Sequence, residues 1–224
     1  MAQIVVINSP DLQSGKTLFS AHLGVMLSSS YKTAVMDCVA GKTPLSMFIA
    51  KRYALNLADN CGLSVPNYIS LEKDVLQETM SQYDVIVIDS PSDKYLKYAD
   101  VLITILRENR EISSLTEKDS SYVSKVWQAK KSRAADGKNT FRWVVVPNGD
   151  FSASQYDKLL QTGKFLGYSI APQLKIRNAY SDGMKNGVTV LDKDLAAFKS
   201  SFLIADLYAR RDLKKTSEFI WQNK

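Results

Sequence analysis

Ile4-Val5-Val6-Ile7-Asn8-Ser9-Pro10-Asp11-Leu12-Gln13-Ser14-Gly15-Lys16-Thr17 is the stretch that decides how this chain is read. Its first four residues are apolar, as expected of a buried parallel strand. After it, Leu18, His22, Val25 and Met26 recur at helical spacing. A strand, a loop closing on Gly-Lys-Thr and a helix form the context in which a phosphate-binding loop works. The helix start offers unpaired N–H groups and a positive dipole end to a phosphate. Gly15 lets the backbone come close, Lys16 reaches the β and γ phosphates, and the Thr17 hydroxyl can ligate Mg²⁺. Ser14, Gly15, Lys16 and Thr17 are therefore the nucleotide-binding candidates. The general pattern asks for a glycine where Pro10 stands, and proline removes an N–H and fixes φ. Gly-Lys-Thr alone also suits an ordinary strand-to-helix turn, so other segments have to decide.

They do so in order. Thr33-Ala34-Val35-Met36 reads as a second buried strand with Asp37 at its carboxyl end, where ligands lie in open α/β sheets. A helix follows, with Leu45, Phe48, Ile49 and Tyr53 on one face, broken over residues 62–66. Residues 71–80 suggest another helix. Tyr83-Asp84-Val85-Ile86-Val87-Ile88-Asp89-Ser90-Pro91 is the clearest strand, and it has the form of a Walker B segment. A carboxylate such as Asp89 holds the hydration shell of a hard cation. Residues 99–106 and 141–146 read as further strands, the latter followed by Pro147-Asn148. Between them residues 120–133 form a helix with an apolar stripe of Tyr122, Val126 and Trp127 and a basic end of Lys125, Lys130, Lys131, Arg133 and then Lys138. Residues 168–170 suit a short edge strand and residues 188–191 a brief extended or turn segment. Residues 195–209 form an amphipathic helix, with Arg210, Arg211, Lys214 and Lys215 after it. Strands alternating with helices imply a doubly wound, mostly parallel sheet flanked by helices, a three-layer α/β/α domain spanning residues 1–224.

Composition sets the bounds. The chain has 224 residues, 45% hydrophobic and 23% charged, the make-up of an ordinary globular domain. No run of about 18 apolar residues suggests a membrane span. The first residues lead straight into a strand, and Cys38 and Cys61 lack metal-ligand spacing, so a cytoplasmic protein with reduced thiols is expected. His22 is the single histidine, which disfavours histidine-based catalysis and suits a packed or surface imidazole. The net charge of +6 permits contact with nucleic acid or anionic lipid.

Lys16-Thr17, Asp37 after the second strand and the segment from Tyr83 to Pro91 together resemble the ParA/MinD superfamily of P-loop ATPases. Within it, the chain looks most like the MipZ family of division-plane positioning ATPases. Ser46 to Arg52, Leu63-Ser64-Val65-Pro66, Val126-Trp127-Gln128-Ala129-Lys130-Lys131, Trp143-Val144-Val145-Val146-Pro147-Asn148 and Gly187-Val188-Thr189-Val190-Leu191-Asp192 extend the likeness over most of the chain. The resemblance implies bound ATP or ADP with Mg²⁺. It implies that Lys16 binds phosphates, Thr17 ligates the metal, Asp37 orients the attacking water or positions it through the metal, Asp89 is the Walker B carboxylate and Asn148 bonds the adenine edge. It also implies an ATP-dependent face-to-face homodimer, non-specific DNA binding by that dimer, and a ParB-like protein and FtsZ as partners in bacterial chromosome partitioning and cell division.

One departure matters. The superfamily loop reads Lys-Gly-Gly-x-Gly-Lys-[Ser/Thr], and here those positions are Asp11-Leu12-Gln13-Ser14-Gly15-Lys16-Thr17. The first lysine of that pattern crosses to the partner's phosphates. At ~4 Å and an effective dielectric of ~20, replacing it by aspartate turns roughly 4 kcal/mol of attraction into similar repulsion. Leu12 and Gln13 replace glycines that tolerate positive φ. Three readings follow: a slow, degenerate ATPase switch; a non-hydrolysing scaffold that keeps only partner binding; and a P-loop ligase related to dethiobiotin synthetase, against which stands the Ile88-Asp89-Ser90-Pro91 form. The basic groups at residues 130–142 and 210–215 motivate DNA binding. Phe219-Ile220-Trp221 is too short to anchor a membrane stably and is expected to dock on the body.

Overall fold

The computed structural model describes residues 2–38, 41–59, 61–70, 76–107, 112–117, 120–192 and 204–222. The strands are β1 (Gln3–Asn8), β2 (Thr33–Asp37), β3 (Asn67–Ser70), β4 (Val85–Asp89), β5 (Val101–Arg107), β6 (Arg142–Asn148) and β7 (Tyr168–Ile170). They form a seven-stranded sheet in the order β3-β2-β4-β1-β5-β6-β7. The helices are α1 (Lys16–Ser28), α2 (Pro44–Asp59), α3 (Leu76–Met80), α4 (Ile112–Thr116), α5 (Ser121–Ala135), α6 (Ala153–Leu166), α7 (Asn178–Lys185) and α8 (Ile204–Gln222), with a short 3₁₀ turn at Asp93–Tyr98. This is the α/β architecture that the alternation of strands and helices predicts.

The chain divides into two compact units. The first comprises Met1–Gln3, Thr17–Asp89 and Arg177–Lys214. In it β2 pairs in parallel with both β3 and β4. Every residue of β2 and of β4 is buried, which is why each reads as an unbroken apolar run. β3 is a four-residue strand, Asn-Tyr-Ile-Ser, none of it fully buried, and the sequence pattern does not show it. α1 departs from its expected stripe. Phe19, Leu23, Val25 and Leu27 are buried, while Leu18 and Met26 are only half-buried. Gly24 explains how this helix lies so close to β2, because a Cβ there would stand 2.4 Å from Val35. On α2, Leu45, Phe48 and Ile49 face inward as expected, but Tyr53 is 57% exposed and Arg52 is the buried residue of that turn.

Arg52 anchors this unit. Its guanidinium forms two bonds to Asp192, at 2.6 and 2.7 Å, and donates to the carbonyls of Ser64 and Gly187. Asp192 in turn accepts from the Thr189 backbone N–H and hydroxyl. A charge buried this deeply is tolerable only because nearly every donor and acceptor is matched. Beside it lies His22, also buried. Its Nδ1 is 2.9 Å from the Leu18 carbonyl, and its ring meets Tyr180 edge-on at 5.4 Å. Tyr180 passes a hydrogen bond of 2.7 Å to the Ala209 carbonyl on α8.

The second unit comprises Ile4–Lys16, Ser90–Ile176 and Lys215–Lys224. In it β1 pairs with β5, β5 with β6, and β6 with β7, all in parallel. Its core contains a polar chain: Trp143 Nε1 donates to Thr104 Oγ1 at 2.9 Å, and that hydroxyl lies 2.8 Å from the Tyr122 phenol. Tyr122 and Val126 of α5 are buried as the stripe predicts, whereas Trp127 is 43% exposed. α6 starts with a capping box between Ser152 and Gln155 and ends at Gly167 in the left-handed region.

Near the C-terminus the expected helix over residues 195–209 falls partly outside the described residues. The described helix α8 continues to Gln222, so Arg210, Arg211, Lys214 and Lys215 lie within it rather than after it. Ile220 is buried at 1% exposure, which agrees with docking of the terminal aromatic segment.

Two outcomes follow from the buried charges of the first unit. Replacing Arg52 with Ala leaves Asp192 unpaired and is expected to cost about 3–5 kcal/mol in urea unfolding, with the Arg52→Met/Asp192→Leu double variant recovering much of it. Burial holds the His22 imidazole down at about 4, against an ordinary 6.5. Between those values the unfolded chain binds a proton that the folded one refuses, so stability falls as pH drops through this window, by up to ~1.4 kcal/mol per pH unit. Unfolding free energies at a series of pH values should show a His22→Gln variant with a slope shallower by close to one proton.

Candidate functional site

The loop between β1 and α1 is built on its own hydrogen bonds. Ser9 Oγ accepts the Asp11 N–H at 3.2 Å, and Asp11 Oδ1 accepts the Gln13 N–H, also at 3.2 Å. Asp11 thus places its carboxylate on a backbone N–H that, in a phosphate-binding loop, a phosphate oxygen could take. Gly15 has φ +95°, a conformation that L side chains rarely adopt. α1 begins directly after it, at Lys16. The Lys16 side chain is buried and folded back over the loop, with Nζ 2.5 Å from the Asp11 carbonyl and 3.4 Å from Ser14 Oγ. Leu12 stands 80% exposed at the tip.

Asn148, the last residue of β6, meets this loop. Its Nδ2 donates to the Ser14 carbonyl at 2.8 Å, and a Cβ on Gly15 would stand 2.8 Å from the same nitrogen. The structure therefore gathers Ser14, Gly15, Lys16 and Asn148, and it gives Asn148 a grip on the loop. Two further residues were missed in the sequence. Asn8, closing β1, sends Nδ2 to the Ser90 carbonyl at 2.9 Å, and its Oδ1 is buried without a hydrogen bond among the described residues. Ser90 Oγ donates to the Ser92 carbonyl and accepts the Ser92 N–H, fixing the turn after β4. An asparagine directly after an apolar strand and before a loop was the signal available for Asn8.

Within the first unit, Thr17 lies in the first turn of α1, and Asp37 and Asp89 end β2 and β4. These two carboxylates are partners in register across the parallel pair, and both are buried. The Asp89 carbonyl also accepts the Cys38 N–H at 3.2 Å. Two buried carboxylates and a hydroxyl are hard oxygen donors, the set that Mg²⁺ accepts while keeping several waters. Among the described residues no group of three His, Cys, Asp or Glu could hold a metal by itself. By donor chemistry, Thr17, Asp37 and Asp89 are the residues that would hold a magnesium ion brought in with a nucleotide.

The basic end of α5 is differently placed from what its sequence suggests. Arg133 is buried and ion-paired with Asp100 at 2.5 Å, and Lys125 pairs with Asp93 at 2.8 Å. Lys130 lies over Trp127, Phe141 and Trp143 with ring centres 5.2–5.5 Å away, and burial lowers its pKa. On α8, Arg211, Lys214 and Lys215 are exposed at helical spacing.

The family profile described as ATPase MipZ matches residues 3–219. No curated protein sequence matches the chain. Among solved structures, apo McdA of Cyanothece is similar, with a TM-score of 0.62 at 17% identity over 99% of each chain. MinD of Aquifex aeolicus, solved in a complex with MinC, matches with a TM-score of 0.64 at 16% identity, over 100% of this chain and 97% of that one. The septum site-determining protein MinD of Pyrococcus horikoshii, solved with Mg-ADP, gives a TM-score of 0.60 at 14% identity over 100% and 97%. At such identities the likeness shows the fold.

Gly15→Ala tests the loop. The added methyl meets Asn148, and the left-handed φ strains any L residue, so a loss of about 1–3 kcal/mol is expected. Combining it with Asn148→Ala removes the clash but not the strain, and thermal melts of the three variants should show only partial recovery.

Proposed function

The chain belongs to the MipZ ATPase family, and from that premise we propose that it is a nucleotide-dependent positioning switch with slow, Mg²⁺-dependent ATP hydrolysis. The observation that carries this reading is the pairing of Asp37 with Asp89 on adjacent strand ends, alongside a Gly-Lys-Thr that opens α1. Phosphoryl transfer needs little covalent chemistry from a protein; it needs positioning and charge. Bound Mg-ATP supplies the anhydride to be cleaved and a metal charge that offsets its negative oxygens.

The chain supplies the rest. Lys16 would exchange the Asp11 carbonyl for phosphate oxygens. The Thr17 hydroxyl and Asp89 would hold the metal and its waters. Asp37 would orient the attacking water. Ser14, Gly15 and the first N–H groups of α1 would line the phosphates, with Asn148 toward the base. The loop's own anion works against this. Asp11 already occupies the Gln13 N–H and adds negative charge where the family carries a lysine, which is why slow turnover is proposed.

The same features favour a second reading, a scaffold that binds nucleotide or partner without hydrolysis, since Lys16 and Asp11 are both engaged inside the loop. By family likeness the partners proposed are a ParB-like protein, FtsZ and a second copy of the chain. DNA is proposed to meet the exposed Arg211, Lys214 and Lys215 of α8, since in α5 Arg133 is held by Asp100, Lys125 by Asp93 and Lys130 by aromatic rings, which leaves Lys131 as its exposed cation without such a partner among those described. Contacts of that kind weaken steeply with salt through counterion release.

Phosphate release with ATP and Mg²⁺ separates the readings. The switch predicts turnover that exceeds a Lys16→Ala control and disappears in EDTA or on Asp89→Asn. ATP binding by calorimetry without any turnover would leave the scaffold standing instead.

A further inference from the structure

Arg107 is the last residue of β5, exposed, and paired in register with Asn148 at the end of β6. Its NH1 donates to the Gln13 carbonyl at 3.4 Å, while Asn148 donates to the adjacent Ser14 carbonyl at 2.8 Å. Two neighbouring strand ends thus present donors to consecutive peptides of the phosphate-loop candidate. Asn148 shows that a neutral amide is enough to hold a carbonyl there. A guanidinium brings more: a permanent positive charge and a planar fork of donors matched to phosphate oxygens. It stands two residues along the loop from Asp11, the position that bears a carboxylate in place of a lysine.

We propose that Arg107 is a phosphate-chain ligand of this site, supplying from the same chain the positive charge that position 11 no longer carries. The inference rests on the nucleotide-binding reading above and adds to it a residue and a consequence. At the phosphate loop Lys16 and Arg107 set two cations beside the carboxylate of Asp11, while Asp37 and Asp89 are matched by the metal, so a di- or triphosphate is held without a lysine from a second copy. Binding then precedes any self-association rather than depending on it.

The test is calorimetric titration of MgADP and of a non-hydrolysable Mg-ATP analogue into wild type, Arg107→Gln, Arg107→Lys and Lys16→Ala, with sedimentation reporting the oligomeric state. Arg107→Gln is expected to weaken both nucleotides about tenfold or more, the loss typical of one charged hydrogen-bonding partner. Arg107→Lys should recover part of that loss, and wild-type affinity should hold at concentrations where the protein sediments as a monomer. Far-ultraviolet circular dichroism and melting without ligand confirm that the variants fold; the lysine variant carries the comparison if the glutamine variant does not. Arg107→Gln binding within twofold of wild type, with Lys16→Ala binding lost, overturns the role of Arg107 and keeps the nucleotide site. Affinity that appears only in the dimer overturns the same-chain charge. Wild type and Lys16→Ala both failing to bind overturns the nucleotide reading and this inference together.

Discussion

Because β2 and β4 run in parallel and in register, Asp37 and Asp89 end on the same rung. No local turn can bring two such residues together; parallel strands need a long crossover, and the intervening chain of α2, β3 and α3 provides it. Close packing of both strands on both faces fixes that register, since a slip by one residue would exchange the side chains that fit each face. The position of the two carboxylates is thus a consequence of packing. The proposed chemistry, and the choice of a hard cation over a soft one, depend on it.

The phosphate-loop candidate shows how charge replacement changes a motif without abolishing its geometry. Gly15 keeps its left-handed turn and α1 begins where it should, so the backbone feature survives. The side chains have been reassigned. Asp11 caps Gln13, Lys16 reaches the Asp11 carbonyl, and Asn148 and Arg107 hold the next two carbonyls along. A ligand has to displace some of these bonds, and the free energy of doing so subtracts from its binding. An internally satisfied loop is a physical reason for weak or slow nucleotide chemistry, independent of whether a second copy is present.

The buried polar groups away from the loop serve stability. Arg52 and Asp192 join two stretches through which the chain resembles its family, Ser46 to Arg52 and Gly187 to Asp192, and their mutual hydrogen bonds are nearly complete. On α2 the sequence pattern puts Tyr53 inside, but the fold buries Arg52 because a partner carboxylate waits there. In α5 the apparent basic patch loses Arg133 and Lys125 to ion pairs and Lys130 to aromatic rings. Charge counted along a helix overstates charge presented to a partner whenever the stem or the head can be used internally.

The amino-acid sequence by itself determined the strands that are buried on both faces, because continuous apolar runs such as Val85 to Ile88 have few other uses, and it determined the strand-loop-helix around Gly15 through the backbone demands of that turn. It also carried the capping residues of α6, Ser152 and Gln155, which went unread. It did not reveal β3, whose four residues are mixed and half-exposed, nor which face of α1 is covered, since that helix is buried almost all round. Only the tertiary structure decided that Asp11 spends its carboxylate on Gln13, that Asn148 and Arg107 close on the loop, and that Arg52 finds Asp192. Each of these joins side chains whose positions depend on how the backbone packs, and no local pattern of residues encodes a distance.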